Sequence, residues 1–367
     1  MVKPIDKIPS DVTRDSFSEW RGPKRGSANP EKMNNPVWRW LIKTRLAAYT
    51  ANKAMNGPPS DQAGPCWCFD RFGQSKTALP DGRTVLIGGE HEDYYDSDFY
   101  IYNDVVVLSA SGGVDIYGYP EDVFPPTDFH TATLLGNTML LIGGLSYPEH
   151  RRDGYTQVMR LDLETFKLSR VETTGERPGW INGHAAEIED NGEWIRISGG
   201  CVEAYNGAWY LENIDTWRLN IHTLSWERLT AKNWIRFEVR REDKAMMHLW
   251  SLRQLLWSRD FRQEDFDDKN TAMTQELGGE PRLDEITSLY QPDVADEVLP
   301  EDDDEYGTYR IRLGDVVVRY VEDNFDIRVT VEGTLPDETV QQLKSNLIRK
   351  LARLERTSMK CRDIPAL

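Results

Sequence analysis

Three hydrophobic strands in this chain each close on a pair of glycines: Val85-Leu86-Ile87-Gly88-Gly89, Leu140-Leu141-Ile142-Gly143-Gly144 and Ile195-Arg196-Ile197-Ser198-Gly199-Gly200. Gly88, Gly143 and Gly199 stand 55 and 56 positions apart. Matched features surround each pair. An opening strand (Gly73-Gln74-Ser75, His130-Thr131-Ala132-Thr133, Gly183-His184-Ala185-Ala186) runs into a turn (Pro80-Asp81-Gly82, Leu135-Gly136-Asn137, Asp190-Asn191-Gly192). Such turns supply residues that tolerate positive φ and so read as hairpins. After the glycines comes a loop of about a dozen residues, longer than a usual hairpin connection. A third strand follows (Val105–Leu108, Val158–Leu163, Thr216–Ile221), then a fourth (Val114–Tyr117, Lys167–Val171, Ser225–Leu229). Four antiparallel strands repeating every ~50 residues are the signature of a propeller blade.

At this point the sequence resembles the kelch family. The likeness lies in the hydrophobic strand closed by Gly-Gly, the aromatic-rich stretch after it, and the ending Thr216-Trp-Arg-Leu-Asn-Ile-His-Thr-Leu-Ser-Trp226. A weaker version of that ending is Met159-Arg-Leu-Asp-Leu-Glu-Thr-Phe166, and the first unit departs from the pattern after Val107. The resemblance covers about residues 65–230. It implies a mainly β fold, a kelch-type β-propeller or partial propeller, with an N-terminal helical arm and a C-terminal α+β (βββα) extension. Trp217 and Trp226 are the natural aromatics to cover the third glycine pair.

Propellers have about 4–8 blades, and three are legible here. Three routes complete the ring: degenerate segments of the same chain, a homodimer closing a six-bladed ring from two arcs, or an open arc capped by flanking elements. We expect an arm and helix over 1–61, blades over 62–230, an amphipathic helix and acidic linker over 231–305, and three strands plus a helix over 306–367. The arm reads as extended over 1–35, with a single helix over 36–56. Residues 243–258 read as the amphipathic helix, and 259–305 as loop or disorder. The strands Thr308–Leu313, Asp315–Val321 and Phe325–Val331 are read as a divergent fourth blade or part of a small module. The last helix starts near Pro336-Asp337-Glu338 and carries the stripe Val340, Leu343, Leu347, Leu351 and Leu354.

Charge bounds the partners. The chain holds 44 Lys and Arg against 61 Asp and Glu, a net −17. Residues 259–305 contribute 17 acidic and 4 basic side chains, whereas residues 1–57 carry 11 basic against 5 acidic. This balance argues against free nucleic acid, whose binding needs a basic surface. A basic protein partner, or docking of the chain's own two ends, fits it better. No apolar run near Met1 suits a signal peptide and none elsewhere is long enough to span a membrane. With only Cys66, Cys68, Cys201 and Cys361, a reduced cytoplasm is the expected compartment.

In the kelch family, loops after the glycine pairs and between blades open on one face and form the ligand surface. What the resemblance implies here is a protein-binding face built from Glu92, Tyr94, Tyr95, Asp96 and Tyr100 in the first loop. Tyr147, His150, Arg151, Arg152 and Tyr155 come from the second, and Glu203, Tyr205, Trp209 and Tyr210 from the third. Tyr, Trp and Arg carry a large share of interface energy, and long loops on a rigid scaffold are where recognition sits.

Catalytic readings are weaker. Some kelch lyases bind iron through Glu-x-x-x-Asp-x-x-x-Asp; Glu92 and Asp96 fit two places, but Tyr100 occupies the third. Six histidines and no secretion signal resemble a kelch copper oxidase poorly. Cys66-Trp67-Cys68 lacks a second Cys/His pair for zinc. Nucleophile elbow, phosphate-binding glycine loop and His-Glu-x-x-His are absent. No catalytic residue, metal or cofactor is therefore assigned. Three functions follow: an intracellular binding or adaptor protein, an inhibitor or immunity-type protein that neutralises a basic enzyme through the acidic segment, and a metal-dependent lyase or isomerase on the first loop.

Overall fold

The computed structural model describes residues 8–33, 35–58, 64–92, 99–189, 192–204, 209–301 and 307–365, and of Trp209 the backbone alone. The chain divides into two compact units, 1–231 and 232–367.

The first unit holds three four-stranded antiparallel blades. Blade one is Ser75–Ala78, Thr84–Ile87, Val105–Leu108 and Val114–Gly118. Blade two is Thr131–Leu135, Thr138–Ile142, Val158–Asp162 and Leu168–Arg170. Blade three is Ala185–Ile188, Trp194–Ser198, Trp217–Asn220 and Ser225–Arg228. In each sheet these four strands keep their chain order, and Thr174–Gly175 adds a fifth strand to the third sheet, parallel to Ser225–Arg228. The glycine pairs lie where one blade meets the connector into the next. Gly88 has φ +57, and a Cβ there would stand 2.2 Å from the Thr127 carbonyl oxygen. Gly143 repeats this with φ +69 and the Ile181 oxygen at 2.2 Å. Only glycine permits so close a backbone approach in that conformation. The neighbouring amides use the proximity: Gly89 N donates to Thr127 O (2.8 Å) and Gly144 N to Ile181 O (2.9 Å). A second chain of bonds joins the blades at their opening residues, with Phe129 N donating to Gly73 O (2.8 Å) and Gly183 N to Phe129 O (2.7 Å).

The alternation of side chains explains how the arc ends. Blade one is apolar on both faces. Val85, Ile87, Val105 and Val107 share a core with Met139, Leu141, Met159 and Leu161 of blade two. The opposite row, Leu86, Val106 and Ile116, is covered by Phe17, Trp38 and Leu41 of the N-terminal arm and by Trp67, which follows it. Blade three buries Ile195, Ile197, Trp217, Leu219 and Trp226 on one face. Its other face carries the cross-strand row Glu187, Arg196, Arg218 and Glu227, laced by an Arg218–Glu227 ion pair at 2.7 Å. A terminal repeat with a polar outer face is how repeat arrays stop.

The arm departs from expectation. It is not extended over 1–35: a helix, Arg14–Trp20, starts at a Thr13/Ser16 capping box, and Glu31–Lys32 pairs antiparallel with blade one's outer strand. Nor is 36–56 one helix. Pro36–Thr44, N-capped by Asn35, ends at Arg45 in the left-handed region (φ 55), and Ala48–Ala54 follows. Trp38 stacks on Trp67 at 5.1 Å (interplanar angle 11°), and its indole donates to Trp20 O at 2.7 Å. Asn29 brackets blade two's outer strand, exchanging two bonds with the Leu168 backbone.

The second unit is α+β. Its sheet has the order Glu297–Val298, Thr308–Leu313, Val316–Glu322, Asp326–Glu332, Arg236–Arg241, Met359–Asp363. The strands expected as a divergent blade or part of a small module are the middle of a separate sheet in this unit, extended by Arg236–Arg241 and Met359–Asp363. The expected acidic linker is also corrected. Within it lie helices Phe266–Leu277 and Leu283–Ile286, whose Met273, Leu277, Leu283 and Ile286 enter the core. Sparse apolar residues at helical spacing anchored a segment whose average polarity read as disorder. The helix expected over 243–258 runs Leu249–Asp260. The last helix is Asp337–Glu355, with the anticipated stripe buried.

Candidate functional site

In each blade the loop between the second and third strands and the connector into the next blade leave from the same end. The second loop is the best held. Buried Asp128, on the connector, accepts from Ser146 N (2.7 Å) through Oδ1, and its backbone carbonyl accepts from Leu145 N (2.9 Å). Burial raises the Asp128 pKa, and Oδ2 has no hydrogen-bond partner among the described residues. Burial also raises the Glu90 pKa, with the charges of Asp128 and Glu92 adding to it. Arg151 then ties the loop from the other side. Its guanidinium donates to the carbonyls of Leu145 (3.1 Å) and Ser146 (2.9 Å), and to Glu203 Oε2 (2.5 Å). Trp180 Nε1 donates to Leu145 O at 3.0 Å.

Beside this anchored loop lies a groove of ≈ 540 Å³. Its walls include Glu121 and Asp122 of one connector, His150, Arg152 and Tyr155 of the loop, and Trp180 of the next connector. Glu121 pairs with Arg25 of the arm and with His150 Nε2 (2.6 Å). Burial lowers the His150 pKa, partly offset by Glu149. Arg152 is exposed, with its guanidinium 6.0 Å from the Tyr155 ring centroid. Tyr155 leans on Trp180, centroids 6.4 Å apart, and its buried hydroxyl has no hydrogen-bond partner among the described residues.

The residues proposed from sequence therefore separate. His150, Arg152 and Tyr155 come together at the groove. Arg151 and Glu203 face each other as an anchor, and Tyr147 accepts from Ile101 N (2.8 Å), tying the second loop to the first. Tyr100 packs its ring on Tyr102 at 5.0 Å. Tyr210 donates to Asn182 Oδ1 at 2.7 Å. Glu92 is exposed. Tyr94, Tyr95, Asp96, Tyr205 and the Trp209 side chain lie outside the described residues. Glu121, Asp122, Trp180 and Arg25 were missed. The first three sit on connectors, which topology alone places at the loop end; Arg25 arrives by the arm's tertiary path and left no signal. Among the described residues no group of three or more His, Cys, Asp or Glu is placed to hold a metal ion.

Blades joined at glycine pairs, with anchored loops at one end, define a β-propeller-type repeat scaffold. Residues 70–249 match the family described as the KLHDC2/KLHL20/DRC7 Kelch-repeats domain, which supports a kelch-repeat family for that part of the chain. No curated protein matches the chain. Kelch domains generally mediate protein–protein interaction. No helix among the described residues is long and apolar enough to cross a membrane.

Proposed function

We propose that the chain is an intracellular protein-binding or adaptor protein that grips a protein partner in the groove beside the second loop. The observation carrying this reading is the division of labour within one loop. Arg151 is consumed in holding the backbone, while the adjacent Arg152 and Tyr155 are presented at the groove. A loop already fixed in shape loses little entropy on binding, and Arg and Tyr next to a Trp wall are the side chains that most often dominate interface energy. His150 and Glu121 supply a polar rim with both charge signs. The partner's matching segment is expected to offer a carboxylate for Arg152 and an apolar side chain for the Tyr155–Trp180 corner.

Quantitative affinity capture from the native cell, comparing wild type with Arg152→Glu/Tyr155→Ala, tests this. Loss of one or a few partners with unchanged thermal stability supports it. An identical partner profile, or no partner with wild type, removes it.

A further inference from the structure

The helix Leu249–Asp260 in the second unit is apolar on two sides. Leu249, Leu252 and Leu255 recur every third residue and are buried in the core. On the other side Trp250, Trp257 and Phe261 are 61%, 48% and 67% exposed. At about 100° per residue these three fall within a stripe roughly 40° wide. Large aromatics are seldom so exposed, and clusters of them mark interaction sites; exposed Gln254 stands between Trp250 and Trp257 on this face. The row is not needed to seat the helix, because the leucines do that. Trp257 and Phe261 touch, with centroids 5.2 Å apart. At the Trp250 end a hollow of ≈ 240 Å³ opens between Met247, Trp250, Asp323 and Asn324. Arg253 at its edge is committed to Glu322 at 2.5 Å.

Charge selects the occupant. Beyond Phe261 the exposed carboxylates Glu264, Asp267 and Asp268 have no ion-pair partner among the described residues, whereas Asp265 is matched by Lys269. The sequence from 259 to 305 is net acidic by 17 side chains to 4. We propose that the Trp250–Trp257–Phe261 face is a docking surface for a basic amphipathic segment of a partner protein. Its apolar side would cover the aromatic row, and its Lys or Arg side chains would meet Glu264, Asp267 and Asp268. An anionic lipid surface would bring like charge to the same acids and be repelled. The test of this docking surface is independent of the test of the groove.

The probe is a fluorescent Leu/Lys amphipathic peptide about four helical turns long, titrated into the full chain and followed by anisotropy. A Leu/Glu analogue and a scrambled Leu/Lys sequence serve as controls. Saturable binding is expected for the Leu/Lys peptide alone. It should weaken about tenfold or more in Trp250→Ala/Trp257→Ala, whose exposed sites leave the fold intact, as hot-spot truncations do. Glu264→Gln/Asp267→Asn/Asp268→Asn should weaken it as well and flatten its salt dependence. Equal binding of either control, absence of binding, or unchanged affinity in the tryptophan variant overturns the proposal. So does self-association of wild type that Trp257→Ala abolishes, which would make the occupant a second copy. Arg152→Glu/Tyr155→Ala should leave peptide binding unchanged.

Discussion

Ser75 Oγ lies 2.8 Å from Nε2 of His130, so the first residue of one blade's inner strand is hydrogen-bonded to the residue that opens the next. Thr131 Oγ1 and His184 Nε2 repeat the bond at 3.0 Å one blade further on. Both imidazoles are buried between blades. Burial, with the nearby His184 adding, pushes the His130 pKa down to about 3, and burial pushes that of His184 down to about 4. The histidines act here as neutral struts between strands.

A pH dependence follows from that neutrality. In the unfolded chain both imidazoles take up a proton below their ordinary pKa of 6.5, while the folded chain refuses it until about pH 3 to 4. Stability is therefore fully present above about pH 6.5 and falls as pH drops below it, by up to about 1.4 kcal/mol per pH unit for each histidine. Urea unfolding from neutral to acid pH should show this slope. His130→Gln, which places at this position the residue type of Gln74 in blade one, should lose about half of it. An unchanged slope in His130→Gln/His184→Gln would count against the assignment.

The glycine pairs differ in what they tolerate. Gly88→Ala and Gly143→Ala place a methyl 2.2 Å from a carbonyl oxygen and should cost several kcal/mol or prevent folding. Gly199 has φ +64, but nothing lies within 4 Å of its Cβ direction, so Gly199→Ala should cost only about 1 to 2 kcal/mol for the left-handed backbone. Chemical denaturation of the three variants reads the ranking directly, and equal losses would contradict the inter-blade role.

Arg71 and Asp104 form a buried pair whose side chains are 0% and 6% exposed, with Nη1 donating to Oδ1 at 2.5 Å. Trp67 Nε1 donates to the other oxygen at 3.0 Å. Asp104→Ala should destabilise the first unit by about 3 to 5 kcal/mol, because it strands a buried guanidinium. The double variant Arg71→Met/Asp104→Ala should lose less than Arg71→Met and Asp104→Ala combined. A double-mutant cycle on the unfolding free energy measures the difference.

The two flanks of the arc predict a monomer. Blade one is covered by the arm, and blade three presents Arg196, Arg218, Glu187 and Glu227. Closure of a six-bladed ring by a second copy would have to displace the first and dehydrate the second. Sedimentation equilibrium at micromolar concentration should give a single-chain mass; a dimer would restore the ring-closure alternative.

Much of the blade region was legible because its signals are local. Val85-Leu86-Ile87-Gly88-Gly89 announces both the strand and its end, and Pro80-Asp81-Gly82 its hairpin. The contrast between continuous Val85-Leu86-Ile87 and alternating Ile195-Arg196-Ile197 also encoded which blade has two covered faces. Of the candidate site, His150, Arg152 and Tyr155 could be named from the loop. Arg151 could not be told from Arg152, because what separates them is a carboxylate on Glu203, 52 residues away. The acidic stretch misled for a related reason: Met273, Leu277, Leu283 and Ile286 are too few to dominate its composition, yet they suffice to seat two helices.

Local pattern in the chain was enough to read three blades and to place their third and fourth strands to within a residue or so. These follow from side-chain alternation and backbone chirality within spans of a few residues. The folded chain alone reveals that the arm caps blade one, that Thr308–Leu313, Val316–Glu322 and Asp326–Glu332 join Arg236–Arg241 in another sheet, and which loop residues anchor and which are presented. Those outcomes depend on pairings across long sequence distances, where what a residue touches matters more than what it is.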